Sequence, residues 1–339
     1  MSLAARLEAL LLRHWWQPRR TALAATLAPL ESLYAGLSRR AADVEPQRAP
    51  VPVVVVGNLI VGGAGKTPTV IALLRALQAA GYTPGVISRG FGRDGDGVHE
   101  VRPDASPAEA GDEPLLIRRR SGVPVWVGRD RVAAARALCA AHPDVDVLVS
   151  DDGLQHRRLA RDAEIVVFDE RGIGNGRLLP AGPLREPLPA RLAPGRFVLY
   201  NAPAPTTPLP GVCAQRSLGP ALALEDWAAG RQDGAVALAT LRGRRLLALA
   251  GIASPERFFS MLEAAGLQIE RLPLPDHHDF AALPWPAGTP EVLVTEKDAV
   301  KLVGRALGGT RVRVVGLDFA LPDSLVQDVL RLIAPPRTR

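Results

Sequence analysis

Short unbroken apolar runs recur along the chain, each followed by a segment with apolar residues at helical spacing. The clearest is Val53-Val54-Val55-Val56, consecutive apolar positions that suit a strand buried on both faces of a parallel sheet. A glycine-rich turn follows, then a helical run over residues 69–80 with Ile71, Leu74 and Leu77 on one face. Further strands are predicted at residues 83–87, 123–127, 145–149, 165–168 and 197–200, with helices around 114–120 and at 131–141. A proline-dense stretch at 202–210 reads as a linker. Beyond it, strands at 246–250, 268–272, 292–294 and 312–315 alternate with helices at 255–265 and 324–333. Alternation of this kind predicts an α/β fold with a mostly parallel sheet and helices on both faces. The expected organisation is a core over residues 1–205 and a smaller α/β unit over 206–339, with the final helix able to return to the core.

The N-terminal pattern is different. Residues 3–12 are apolar but punctuated by Arg6 and Glu8, and the run 21–37 contains Pro29 and Glu31. Neither suits a signal peptide or a spanning helix. His14-Trp15-Trp16, Arg19-Arg20 and Arg39-Arg40 flank leucine-rich turns. That composition suits a helix over about residues 1–40 lying in a membrane interface, or equally one packed on the protein's own core.

Composition narrows the function classes. A chain of 339 residues is long enough for two domains with substantial cores. Cys139 and Cys213 lie far apart with no metal spacing, which argues for a reducing compartment and against a disulfide framework. The net charge of +6 comes from arginine far more than lysine. Arginine favours bidentate contact with phosphate, which leaves nucleic acid, anionic lipid and phosphorylated substrates open.

The motifs decide more. Gly62, Gly63, Ala64, Gly65, Lys66 and Thr67 join the valine strand to the first helix. Strand, glycine turn and helix start form an anion cradle, with a lysine reaching the terminal phosphates and a threonine hydroxyl for magnesium. The strict phosphate-loop pattern wants glycine where Ile60 stands, so the loop is a variant. Asp151 and Asp152 end an apolar strand, where acidic residues opposite a phosphate loop order magnesium; Gln155 and His156 follow at once. Asp112 in GDEP and the cluster Asp276-His277-His278-Asp279 are candidates for accepting a hydroxyl proton. Adjacent histidines seldom ligate one metal together. The loop 174–187 carries Asn175, Arg177, Arg185 and Glu186 on a backbone fixed by glycine and proline, and it suits gripping an anionic substrate or buttressing the sheet. Thr295-Glu296-Lys297-Asp298 has its lysine one place too late for a guanine-reading signature.

In this order the motifs VGNLIVGGAGKTP, SRGFG, GDEP, DDGLQHRRLARD, GNGRLLPAGPLREP, AGIASPERFF, DHHDF and TEKDAVKL closely resemble the tetraacyldisaccharide 4′-kinase family over most of the chain. The resemblance implies a fold like that of phosphate-loop NTPases. It also implies transfer of the γ-phosphate of ATP, with Mg2+, to the 4′-hydroxyl of a tetraacylated disaccharide 1-phosphate. The product is lipid IVA, a lipid A precursor. Lys66 and Thr67 then hold ATP and magnesium, and Asp151 or Asp152 completes the metal site. Asp112 is the base, paired with His277 beside Asp276. Gln155, His156, Arg185 and Glu186 line the cleft, with Arg89 and Asn175 on the substrate side. Phe91 stands where many members of the family carry tyrosine. Peripheral contact with the cytoplasmic face of an anionic bacterial inner membrane is implied; nucleic acid and an obligate protein partner are not expected. A phosphate-loop NTPase switch or metal chaperone is the alternative; the absence of cysteine ligands and of a guanine signature counts against it.

Overall fold

The structure, a computed structural model, describes residues 10–17, 21–42 and 44–333. The elements begin with helices α1 (Ala22–Thr26) and α2 (Ala28–Ala42), strand β1 (Val53–Gly57), α3 (Lys66–Ala79) and β2 (Pro84–Ser88). Next come β3 (His99–Glu100), α4 (Pro107–Ala110), α5 (Asp112–Ser121), β4 (Val125–Val127) and α6 (Arg131–Ala141). They are followed by β5 (Val147–Asp151), β6 (Ala163–Asp169), β7 (Arg196–Asn201), β8 (Val212–Cys213), β9 (Gln215–Ala223) and α7 (Leu224–Ala228). The chain ends with β10 (Arg245–Ala250), α8 (Pro255–Ala264), β11 (Gln268–Pro273), β12 (Glu291–Thr295), α9 (Glu296–Leu302), β13 (Arg311–Ala320) and α10 (Asp323–Leu332).

Two compact units result. The first takes Met1–Ile87, Arg131–Gln215 and Leu321–Arg339; the second takes Ser88–Asp130 and Arg216–Ala320. The chain therefore leaves the first unit near the end of β2, returns at α6, leaves again at the start of β9 and comes back with α10. These crossings fall at the ends of regular elements, where composition gives no signal.

In the first unit β1 lies between β5 and β6, and all its neighbours run parallel to it, in the order β2-β5-β1-β6-β7-β8. Val53 to Val56 are each 1% exposed or less, as a strand with both faces covered requires. Helix α3 buries Val70, Leu73, Leu74 and Leu77 completely. The parallel register brings Val56 level with Asp151, and Asp169 level with Asn201. The carboxyl ends of β1, β5, β6 and β7 thus emerge along one edge, where ligands gather in such sheets.

The N-terminal helices use a polar face to grip the loop that follows β6. Glu31 on α2 accepts from Arg177 Nε (2.8 Å) and from the Leu178 N–H (2.8 Å). The Tyr34 hydroxyl donates to the Arg185 carbonyl (2.9 Å). Residues 10–15 are also helical, and Trp15 Nε1 donates to the Pro180 carbonyl (2.9 Å). The Arg171 guanidinium lies over the Trp16 ring, 4.4 Å from its centroid, a cation–π contact. Leu30, Leu33 and Leu37 occupy another face of α2 and are 52%, 60% and 56% exposed. Among the described residues no helix is long and apolar enough to cross a membrane. The expected interfacial character of residues 1–9 and of Arg19-Arg20 concerns positions outside the described residues.

The second unit is built on a sheet of order β11-β10-β12-β13-β9, in which β10 runs parallel to β11 and β12, and β12 parallel to β13. Its core gathers Ala248, Phe259, Leu262 and Leu293, all completely buried. Strand β9 was not expected from the pattern, because Gly219-Pro220 interrupts it; as an edge strand it tolerates the missing N–H. Helix α9 also escapes the pattern, being only 7 residues long. It starts on a Thr295 cap that accepts from Asp298 N–H (3.2 Å). Phe259→Ala is expected to destabilise this unit by about 3–5 kcal/mol. A lowered urea midpoint for loss of near-UV dichroism, with the secondary structure of the folded baseline unchanged, is the measurement that checks it.

Candidate active site

The loop from β1 to α3 begins in extended form. The Val61 N–H donates to the Pro183 carbonyl (2.9 Å), the Arg185 N–H donates to the Leu59 carbonyl (2.7 Å), and Ile60 bridges Leu184. Ile60 is completely buried there. An extended, packed position suits a β-branched residue, which explains why the strict glycine is dispensable. The left-handed positions come later, at Gly62 (φ +80°) and Gly65 (φ +96°), where glycine is favoured.

Four consecutive carbonyls of the loop are then tied down by side chains. Asn58 Nδ2 donates to Gly62 O (2.9 Å), and Arg171 Nη2 to Gly63 O (2.8 Å). Asn201 Nδ2 donates to Ala64 O (3.1 Å), and the Thr69 hydroxyl to Gly65 O (2.8 Å). A Cβ on Gly65 would meet Asn201 Nδ2 at 2.2 Å. With its carbonyls engaged, such a loop leaves its N–H groups for an anion at the start of α3. Lys66, 9% exposed, reaches back to Asn58 Oδ1 (3.3 Å) and lies 3.8 Å from Asp152 Oδ1.

Asp151 at the end of β5 is buried, and Asp152 follows in the left-handed region (φ +48°). Arg185 Nη1 donates to Asp152 Oδ1 (3.0 Å) and Asn58 Oδ1 (3.3 Å). Burial favours the neutral form of Asp152, but the charges of Lys66, Arg185 and Arg131 outweigh it and hold the carboxyl below the usual range. Gln155 Nε2 donates to Glu186 Oε1 (3.0 Å), and Arg157 to Glu186 Oε2 (2.8 Å). Thus Lys66, Asp152, Arg185, Gln155 and Glu186, predicted from separate motifs, form one linked cluster around Asn58. His156 lies beside it, its carbonyl accepting from Arg161 (2.8 Å). Asn175 does not join them. Its Nδ2 donates to Ala181 O (2.9 Å) and its Oδ1 accepts from Arg177 N–H (3.1 Å), so the side chain shapes its own loop.

The second unit carries the other cluster. Asp112 opens α5 after Gly111 (φ +86°) and is 5% exposed. Its Oδ2 lies 3.0 Å from His277 Nδ1 and 3.3 Å from Lys301 Nζ. Its Oδ1 accepts from the Glu113 N–H (3.1 Å). His277 is itself in the left-handed region (φ +59°), and Asp276 Oδ1 accepts its N–H (3.0 Å). Lys297 Nζ sits 3.2 Å from His277 Nε2, 3.1 Å from Asp276 Oδ1 and 3.0 Å from Glu113 Oε1. Burial alone would raise the Asp112 pKa; the His277 hydrogen bond and the charges of Lys297 and Lys301 outweigh it and hold the carboxyl well below the usual range. Burial would likewise lower that of Lys297, but the carboxylates of Glu113, Asp112 and Asp276 push it up. The Phe91 ring lies 5.3 Å from that of His277, and Arg89 is exposed.

The two adjacent histidines part company. His278 Nδ1 accepts the Phe280 N–H (3.1 Å) and its ring meets that of Phe280 edge-on. Among the described residues no group of three or more His, Cys, Asp or Glu is placed to hold a metal. Sequence reasoning missed Asn58, Arg171, Asn201, Lys297 and Lys301. Asn58 directly follows the valine strand and Asn201 ends another, positions that carry function in parallel sheets. Lys297 lies in a segment, residues 295–298, whose pattern points only toward base reading.

Comparison with known proteins identifies the family. The family model for tetraacyldisaccharide-1-P 4′-kinase matches residues 23–334. Tetraacyldisaccharide 4′-kinase of Methylibium petroleiphilum is 56% identical over 327 residues, 93% of this chain and 91% of the relative. That of Dechloromonas aromatica is 51% identical over 322 residues, 93% of this chain and 96% of the relative. Among solved structures, the "apo" form of LpxK from Aquifex aeolicus in complex with ATP superposes with a TM-score of 0.73 at 27% identity, covering 92% of this chain and 100% of that one. With a family model spanning most of its length and relatives sharing half its residues, the chain belongs to the tetraacyldisaccharide-1-P 4′-kinase family.

Proposed function

We propose that this protein transfers the γ-phosphate of ATP to the 4′-hydroxyl of a tetraacyldisaccharide 1-phosphate, yielding lipid IVA for lipid A. The observation that carries the reading is the pairing of chemistries. The first unit holds a phosphate loop with Lys66 beside Asp152, and the second holds a buried carboxylate–imidazole pair, Asp112 and His277.

The residues fit the implied ligands. Loop N–H groups from Gly62 to Lys66 and the Lys66 ammonium hold the ATP phosphates. Thr67 stands at the second position of α3, and its hydroxyl has no hydrogen-bond partner among the described residues. With Asp151 and Asp152 it offers the hydroxyl and carboxylate oxygens that Mg2+ takes alongside phosphate and water. When bound, the ion neutralises charge on the transferring phosphoryl group. Arg185 and Lys66 share Asp152 in the structure and keep it ionised. Gln155 and His156 are assigned to the nucleotide, and Arg185, Glu186 and Arg89 to the anionic acceptor.

The Asp112 carboxylate accepts the proton of the attacking hydroxyl. Its low basicity suits a loose transition state, in which the hydroxyl proton leaves late. His277, flanked by Asp276, holds that carboxylate in place. Peripheral contact with the cytoplasmic face of an anionic inner membrane is supported by Leu30, Leu33 and Leu37 on one face of α2, with Arg39 and Arg40 in its last turn. The metal-chaperone alternative finds no support, because His277 and His278 are engaged with Asp112 and Phe280.

Phosphate transfer from labelled ATP to the acceptor in detergent micelles tests the reading: acceptor-dependent label at the 4′ position is expected, and acceptor-independent hydrolysis without labelled lipid contradicts it. Lys66→Ala is expected to lower kcat by about 10²–10³-fold. Asp112→Ala is expected to lower it by about 10²–10⁴-fold while calorimetry still shows ATP binding. Replacing Leu30, Leu33 and Leu37 with aspartate is expected to reduce co-sedimentation with anionic vesicles. The depressed carboxyls of Asp112 and Asp152 contribute stability that is full above their unfolded-state pKa of about 4 and lost as pH falls through their folded values. Urea midpoints should therefore drop below that pH, and less steeply in Asp152→Asn.

A further inference from the structure

Lysine is almost absent from this chain: 41 basic residues of the Lys and Arg type include only Lys66, Lys297 and Lys301. One serves the phosphate loop. The other two lie one turn apart on α9 and touch opposite ends of the Asp112–His277 pair, Lys301 at Asp112 Oδ2 and Lys297 at His277 Nε2. Such spacing puts both ammonium groups on one helical face.

An ammonium has three donors and no acceptor. At 3.2 Å from Lys297 Nζ, His277 Nε2 can only accept, so the ring proton must sit on Nδ1. There it is donated to Asp112 Oδ2, 3.0 Å away. Were the tautomer reversed, two N–H groups would point at each other and the carboxylate would face a bare ring nitrogen. The charged groups facing the pair are Asp112 and Glu113 from α5, Asp276 from the loop before His277, and Lys297 and Lys301 from α9; the Phe91 ring covers another side. Glu113 and Asp276 hold Lys297 between them at 3.0 and 3.1 Å. They fix where its charge lies.

We infer that Lys297 is a positioning residue of the kinase, holding His277 neutral and protonated at Nδ1 so that the ring serves Asp112 only as a hydrogen-bond donor. A second proton, on Nε2, would be placed against the ammonium. Lysine suits the role better than arginine, because a compact point charge fits between two carboxylates and a ring nitrogen without demanding a planar fork.

The inference rests on the kinase reading for its kinetics but not for its spectroscopy. Nitrogen-15 NMR of histidine-labelled full-length protein, with His277 assigned by loss of its signal in His277→Gln, reads the tautomer directly. Protonated Nδ1 and bare Nε2 at neutral pH are expected; an Nε2–H ring in the wild type overturns the inference, whether or not any variant folds. In Lys297→Met the Nε2–H tautomer is expected to appear, and in Lys297→Arg the Nδ1–H form is expected to persist. A folded Lys297→Met with an unchanged spectrum overturns it as well. For turnover, Lys297→Met should lower kcat by about 10–100-fold with little change in KM for ATP, and Lys297→Arg should recover part of it. Failure of phosphate transfer by the wild type would strike the kinase reading alone and leave the tautomer result standing.

Discussion

The first unit depends on keeping a glycine-rich loop in one shape. Four successive carbonyls, from Gly62 to Gly65, each accept from a side chain, and those side chains come from the end of β1, the loop after β6, the end of β7 and the first turn of α3. Buried carbonyls without partners are costly, and partners drawn from several elements over-determine the backbone. The sheet is what makes this possible. Its parallel register delivers Asn58, Asp151, Asp169 and Asn201 to a common edge, and Asp169 in turn holds Arg171 at 2.8 Å.

The second unit solves a different problem, the burial of charge. Asp112, Lys297 and Lys301 are all largely buried, and a lone charge there would be neutralised instead of kept. Alternating signs keep each group ionised: Glu113 and Asp276 around Lys297, Lys297 and Lys301 around the Asp112–His277 pair. The helix bearing the two lysines is anchored from below by Asp298. That carboxylate accepts the Gly251 N–H (3.0 Å) and the Thr295 hydroxyl (2.7 Å), and burial raises its pKa.

Much of this was legible in the residues, and the limits have physical causes. Central strands reveal themselves because both faces are buried, so β1 and β5 to β7 fall within a residue or two of the apolar runs. The phosphate loop, Asp112 and His277 stood out as chemistry-bearing residues at strand ends or turns. Strand β9 did not, since an edge strand carrying Gly219-Pro220 lacks a clean alternation, and a helix as short as α9 has too few turns to show a period. Assignment of residues 88–130 to the second unit was hidden as well, because that is a matter of which residues touch and leaves no mark in composition. Asn58, Arg171 and Asn201 were missed for a related reason. Their work is to hold backbone carbonyls, and a backbone partner has no signature in the sequence.

Arg171 joins two things that look separate along the chain. One edge of its guanidinium donates to the Gly63 carbonyl, while its face lies over the Trp16 ring. The leading segment is thus a neighbour of the nucleotide loop at one remove. Trimming that segment to make a more soluble protein would uncover one face of the group that braces the loop. The edge and the face of one guanidinium thereby tie the length of chain kept at the front of the protein to the bracing of the loop that follows β1.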